Sequence, residues 1–115
     1  RASEVDILKS KAKLIFLDCW APWCKPCREL APIFEALEEK YSESTEIAFY
    51  KINVEEYPEF SRENNIRGIP CVLVYLDGEP ADIEDPSHPR GKKTDRLLGR
   101  RGSSDYESVI DQLLG

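Results

Sequence analysis

Leu14-Ile15-Phe16-Leu17-Asp18-Cys19-Trp20-Ala21-Pro22-Trp23-Cys24-Lys25-Pro26-Cys27 decides the fold. Its first four residues are apolar without polar alternation, which predicts a strand buried on both faces, as at the centre of a parallel sheet. The two thiols then stand one helical turn apart at the start of an amphipathic segment. Strand, tight turn and helix is the setting in which a C-x-x-C pair carries out redox chemistry. The first N–H groups of such a helix lack partners within it, and their partial positive charge favours a thiolate at Cys24. Lys25 adds a further positive charge, and Pro26 suits the first turn, where its missing N–H costs nothing. Cys27 lies on the same face of that turn, within reach of Cys24, and is expected to be the protected, resolving sulfur.

Working outward, the helix is predicted from Cys24 to about Tyr41. Leu30, Ile33, Phe34, Leu37 and Tyr41 recur at three- and four-residue steps, and Glu35, Glu38 and Glu39 take the wet side. Pro32, inside it, removes one backbone hydrogen bond and predicts a kink. Earlier, Glu4 to Ser10 reads as a short amphipathic helix. Later, Ile47–Val54 reads as a second strand, and Pro58 opens a short helix ending near Asn65. Cys71–Leu76 is a third strand, and Ser104 with Glu107 reads as a capping box for a last helix carrying Tyr106, Val109, Ile110, Leu113 and Leu114. The order is that of an α/β fold with a mixed sheet flanked by helices.

Four separated signals resemble the thioredoxin family over nearly the whole chain. They are Trp23-Cys24-Lys25-Pro26-Cys27, with Lys25 where the family usually has Gly; Asp18 and Trp20; Arg67-Gly68-Ile69-Pro70; and Asp77-Gly78-Glu79 with Gly99 further on. The resemblance implies a thiol–disulfide oxidoreductase that reduces protein disulfides through a Cys24/Cys27 cycle. It assigns Asp18 to the family's buried aspartate and Lys51 to its charge partner, both joining the cysteines as catalytic residues. It makes Ile69-Pro70 a cis bond beside the active site. Substrate would bind through Trp23, Lys25, Pro26, Gly68, Ile69, Pro70 and Gly99, mainly by its main chain. Burial should raise the pKa of Asp18, fitting it to exchange a proton with Cys27. The resemblance implies no cofactor, and it implies a flavoprotein thioredoxin reductase or glutathione as electron donor.

With 115 residues, 41% of them hydrophobic and 33% charged, the chain fits a single globular domain over 1–115. No apolar run approaches the ~20 residues that span a bilayer, so a membrane role is not expected. A net charge of −6 and the lack of aromatics among the basic residues argue against nucleic-acid binding. A monomer is expected. The absence of Met and the start at Arg1 suggest a fragment or processed form, leaving localisation open with the cytoplasm favoured. Two alternatives stand beside the reductase. One is a protein disulfide oxidase or isomerase, toward which Lys25 leans and Pro26 does not. The other is a thioredoxin-fold binding module of a larger protein.

Relative to the family, the first edge strand is expected to be missing, and an insertion at about 80–96 is expected to enlarge the loop before or within the last strand. Pro86, Pro89 and Gly91 argue against regular structure across it. Its C-terminal flank gathers Arg90, Lys92, Lys93, Arg96, Arg100 and Arg101 against the single acid Asp95. Segment 90–101 reads either as a solvated loop or as a basic pole steering an acidic partner to the active site. His88 reads as exposed. Cys19 reads as a buried small hydrophobe, and Cys71 as a core residue or a third redox thiol. A metal site built from Cys19, Cys24, Cys27 and Cys71 is disfavoured, because only one close ligand pair is visible.

Overall fold

The structure, a computed structural model, describes residues 10–88 and 92–115. The element order is β1 (Leu14–Trp20), α1 (Lys25–Lys40), β2 (Ile47–Asn53), α2 (Pro58–Glu63) and β3 (Cys71–Leu76). Four short strands follow, β4 (Glu79–Pro80), β5 (Ile83–Glu84), β6 (Lys93–Thr94) and β7 (Arg96–Leu98), and then α3 (Ser103–Leu114). The helix expected over Glu4–Ser10 lies, apart from Ser10, outside the described residues.

β1 is the central strand. β2 runs parallel to it, with Asp18 opposite Lys51, and β3 runs antiparallel on its other side, with Cys19 opposite Cys71. Because side chains alternate along a strand, β1 feeds two cores at once. Leu14 and Phe16 join Val72 and Val74 in a cluster with Leu30, Phe34 and Leu37 of α1 and Tyr106 and Val109 of α3. Leu17 and Cys19 join Cys71 and Leu73 on the opposite face, with Phe60 of α2. Each large apolar side chain buried this way contributes about 1.5–3 kcal/mol. The unbroken apolar run in β1 is therefore a consequence of helices on both faces. Asp18 faces the first cluster, since its partner across the ladder is Val72.

The insertion is more ordered than its composition suggests. Asp77 and Gly78 both have positive φ, 53° and 83°, and make the two-residue turn into β4. β4 pairs with Tyr75 and Leu76, while β7 pairs with Cys71, Val72 and Leu73 along the same edge of β3. One edge strand is thus interrupted, and residues 81–88 and 92–95 lie outside it. The Val74 carbonyl accepts from Ala81 N at 2.8 Å and Val74 N donates to the Asp95 carbonyl at 2.8 Å, holding both ends of the excursion to β3. Contrary to the expectation of no regular structure, the excursion forms a small ladder, with Ile83 opposite Thr94 and Glu84 opposite Lys93. Pro86 lies beyond its paired residues and so does not interrupt it. Ile83 is fully buried in the first cluster, and this apolar anchor is what residue counting along the loop overlooked.

The last helix also departs from expectation. Its N-cap is Gly102, with no side-chain cap, so Ser104 and Glu107 form no capping box. Glu107 instead pairs with Lys40 at the end of α1, an interhelical contact taking the place of a local one. Among the described residues, no helix is long and apolar enough to cross a membrane.

Candidate active site

Cys24 is the N-cap of α1 and Cys27 the third residue inside it. They are joined by a disulfide with Cα atoms 5.2 Å apart. Cys24 Sγ accepts from Cys27 N at 3.3 Å, so the sulfur takes the capping position that a hydroxyl or carboxylate usually fills. The same sulfur lies 3.7 Å from the Ile69 carbonyl oxygen. Both cysteines are buried, packed with Ala21 and against Trp20, Val54 and Ile69. Lys25 and Pro26, between them, are exposed.

The Ile69–Pro70 peptide bond is cis. It borders a groove of about 320 Å³ lined by Arg67, Gly68, Ile69, Pro70, Leu98 and Gly99, among others. Gly99, at φ 80°, donates its N–H to the Pro70 carbonyl at 2.9 Å, tying the end of β7 to this loop. A side chain at that φ is strained, which accounts for glycine there. Among the described residues Trp23, next to Cys24 in the chain, and Leu98, in the groove lining, are the exposed large hydrophobics, at 64% and 55%. The Trp23 indole N–H donates to Glu55, a contact that sequence reading did not anticipate because it joins the turn before α1 to the turn after β2, 32 positions apart.

Asp18 is 1% exposed, and burial raises its pKa from 3.8 to about 6 against the opposing charge of Lys51. Neither carboxylate oxygen has a hydrogen-bond partner. Lys51 acts on it through charge. Its ammonium lies over the Trp20 ring, 5.4 Å from the centroid, where the π face also attracts it. Cys19 and Cys71 are free thiols, each fully buried. Burial pushes Cys71 to about 11 and Cys19 higher still. Both belong to the α2-side cluster, apart from the Cys24–Cys27 cluster, and Cys71 also lines the groove beside Pro70.

The basic segment is depleted by the fold. Arg101 forms a two-pronged pair with Asp85 at 2.6 and 2.9 Å, reaches Asp105 at 3.1 Å, and donates to the Leu98 carbonyl at 2.8 Å. Arg96 pairs with Asp95 and donates to the Asn64 carbonyl at 2.9 Å. Both guanidinium groups hold loops together. Lys92, Lys93 and Arg100 remain exposed, and Arg90 lies outside the described residues.

The thioredoxin family model matches residues 3–98 of this sequence. The chain belongs to the thioredoxin family. It is similar to a thioredoxin of Coprinus comatus, 42% identical over 79 residues that make up 69% of this chain and 74% of that protein. A thioredoxin of Porphyra purpurea is 38% identical over 100 residues, 87% of this chain and 79% of that one. Among solved structures, a mutant thioredoxin from Halobacterium salinarum superimposes with a TM-score of 0.72 at 25% identity, covering 97% of this chain and 84% of the other. With the Cys24–Cys27 pair in place, the protein is a thiol–disulfide oxidoreductase. The thioredoxin family reduces disulfide-bonded proteins and is itself reduced by thioredoxin reductase.

Proposed function

We propose that this chain reduces protein disulfides, with Cys24 as nucleophile, Cys27 as resolving thiol and Asp18 as the proton acceptor for Cys27. The observation that carries this is Cys24 at the helix N-cap, disulfide-linked to Cys27, with the Ile69 carbonyl 3.7 Å from its sulfur. In the reduced protein, the Cys24 thiolate attacks one sulfur of a substrate disulfide and expels the other as thiolate. Cys27 then gives its proton toward Asp18, attacks Cys24 Sγ and releases the second substrate thiolate, so two electrons pass from the dithiol to the substrate. A carboxylate with a pKa of about 6 is ionised at neutral pH yet closer to a thiol in proton affinity than an exposed aspartate. That match supports the relay.

Substrate would lie as an extended strand against Ile69, between Trp23, Lys25 and Pro26 on one side and Gly68, Pro70 and Gly99 on the other. Electrons would come from a flavoprotein reductase, with glutathione as substitute. Lys92, Lys93 and Arg100 retain enough exposed charge to steer an acidic partner. Two measurements test the reading. Cys27→Ser should accumulate a Cys24 mixed disulfide visible by mass, whereas Cys24→Ser should accumulate none. Titration of the couple should place its potential near or below the cytosolic poise, roughly −220 to −320 mV; a value near −180 mV or above would make the protein an oxidase or isomerase.

A further inference from the structure

Among the described residues, three buried side-chain oxygens lack a hydrogen-bond partner: both carboxylate oxygens of Asp18 and the hydroxyl of Tyr106. They belong to one neighbourhood. The Tyr106 ring meets Phe16 edge-on, centroids 5.7 Å apart, and Phe34 edge-on at 6.3 Å. Phe16 precedes Asp18 by two residues on β1, so the two side chains leave the same face of the sheet about 6–7 Å apart. Val72, opposite Asp18 across the β1–β3 ladder, belongs to the same packed cluster as Tyr106. Helix α3 therefore lays a phenol along the row of β1 side chains that leads to the buried carboxylate. After burial, the charge of Asp18 is the strongest influence on that phenol, holding it well above its usual pKa and protonated.

An acceptor pair and a donor, all sealed from solvent, form a polar setting with the partners a buried water requires. We propose that one internal water joins the Tyr106 hydroxyl to the Asp18 carboxylate and makes Tyr106 a positioning residue for the proton relay. Tyr106 donates to the water and the water donates to Asp18. The bridge fixes the carboxylate and favours its charged form. This rests on the reading of Asp18 as proton acceptor, and it adds a residue from the last helix that no spacing rule connects to the cysteines.

Tyr106→Phe keeps the ring and removes the hydroxyl. In the oxidised protein, the titration midpoint of the Asp18 carboxyl, followed by carbon-13 NMR, should rise by roughly half to one pH unit. Lys51 on β2, Cys19 on β1, Cys71 on β3, and Arg101 and Asp105 near Tyr106 are common to both proteins. Cys27, in the first turn of α1, is held in the disulfide and does not titrate. The pH profile of protein-disulfide reduction should move with the midpoint. An unchanged midpoint, with Tyr106→Phe equally or more heat-stable, would overturn the bridge. A moved midpoint with an unmoved profile would overturn the part of Tyr106 in the relay. Asp18→Asn separates the underlying reading, because unchanged turnover in that variant would end the relay itself while the titration still judged the bridge.

Discussion

Replacing Asp18 by asparagine should stabilise the folded, oxidised protein, and by an amount that grows with pH. The carboxyl titrates near 3.8 when solvated and at about 6 in the fold, with burial as the dominant cause. Below pH 3.8 it is neutral in both states and carries no charge penalty. As pH rises toward 6 the unfolded chain ionises first, so folding holds a proton that unfolding releases, and stability falls. Above pH 7 the loss is complete. A separation of roughly two pH units corresponds to about 3 kcal/mol. Asparagine has nearly the same shape, and whatever its amide costs in this buried setting does not vary with pH. The measurement is therefore urea unfolding of both proteins at pH 4 and pH 8, with the Cys24–Cys27 disulfide intact. The advantage of Asp18→Asn over the parent should widen by about 2–3 kcal/mol between the two pH values. A difference constant across that range would refute the assignment of a buried, high-pKa carboxyl at this position.

Arg101→Ala should cost about 2–4 kcal/mol, because it leaves Asp85 and Asp105 without their shared cation, whereas exposed Arg100→Ala should stay within about 0.5 kcal/mol; denaturant midpoints decide, and equal losses would contradict the clasp. In the native reduced protein, alkylation should modify Cys24 and leave Cys19 and Cys71 untouched until denaturant is added, as a mass spectrum would show directly.

The segments read most accurately from sequence were those whose signal is local. Cys71–Leu76 is bounded by turn residues and matches β3 to the residue. The three- and four-residue steps of Leu30, Phe34 and Leu37 gave α1 within a residue at each end. The insertion departs from its sequence pattern because its composition is that of a loop, while its order comes from distant partners. Ile83 enters the core, Glu84 exchanges hydrogen bonds with Gln112 across 28 positions, and Arg101 reaches back 16 positions to Asp85. The capping box failed for the same reason, since Glu107 found Lys40 rather than its own helix terminus.

By itself the sequence determined that a reactive thiol pair opens a helix after a doubly buried strand, because turn chemistry, helix periodicity and the C-x-x-C spacing all act within a few residues. Only the tertiary structure decided the surroundings of Asp18. The pKa of Asp18 depends on how completely α1, α3 and β3 exclude water from one carboxylate. The same packing brings the Tyr106 hydroxyl to that carboxylate's side of the sheet from 88 positions away in the chain. It also takes Arg96 and Arg101 out of the basic surface that their spacing suggested. Burial and charge depend on the whole set of neighbours, and the folded chain assembles those neighbours across distances that no local pattern encodes.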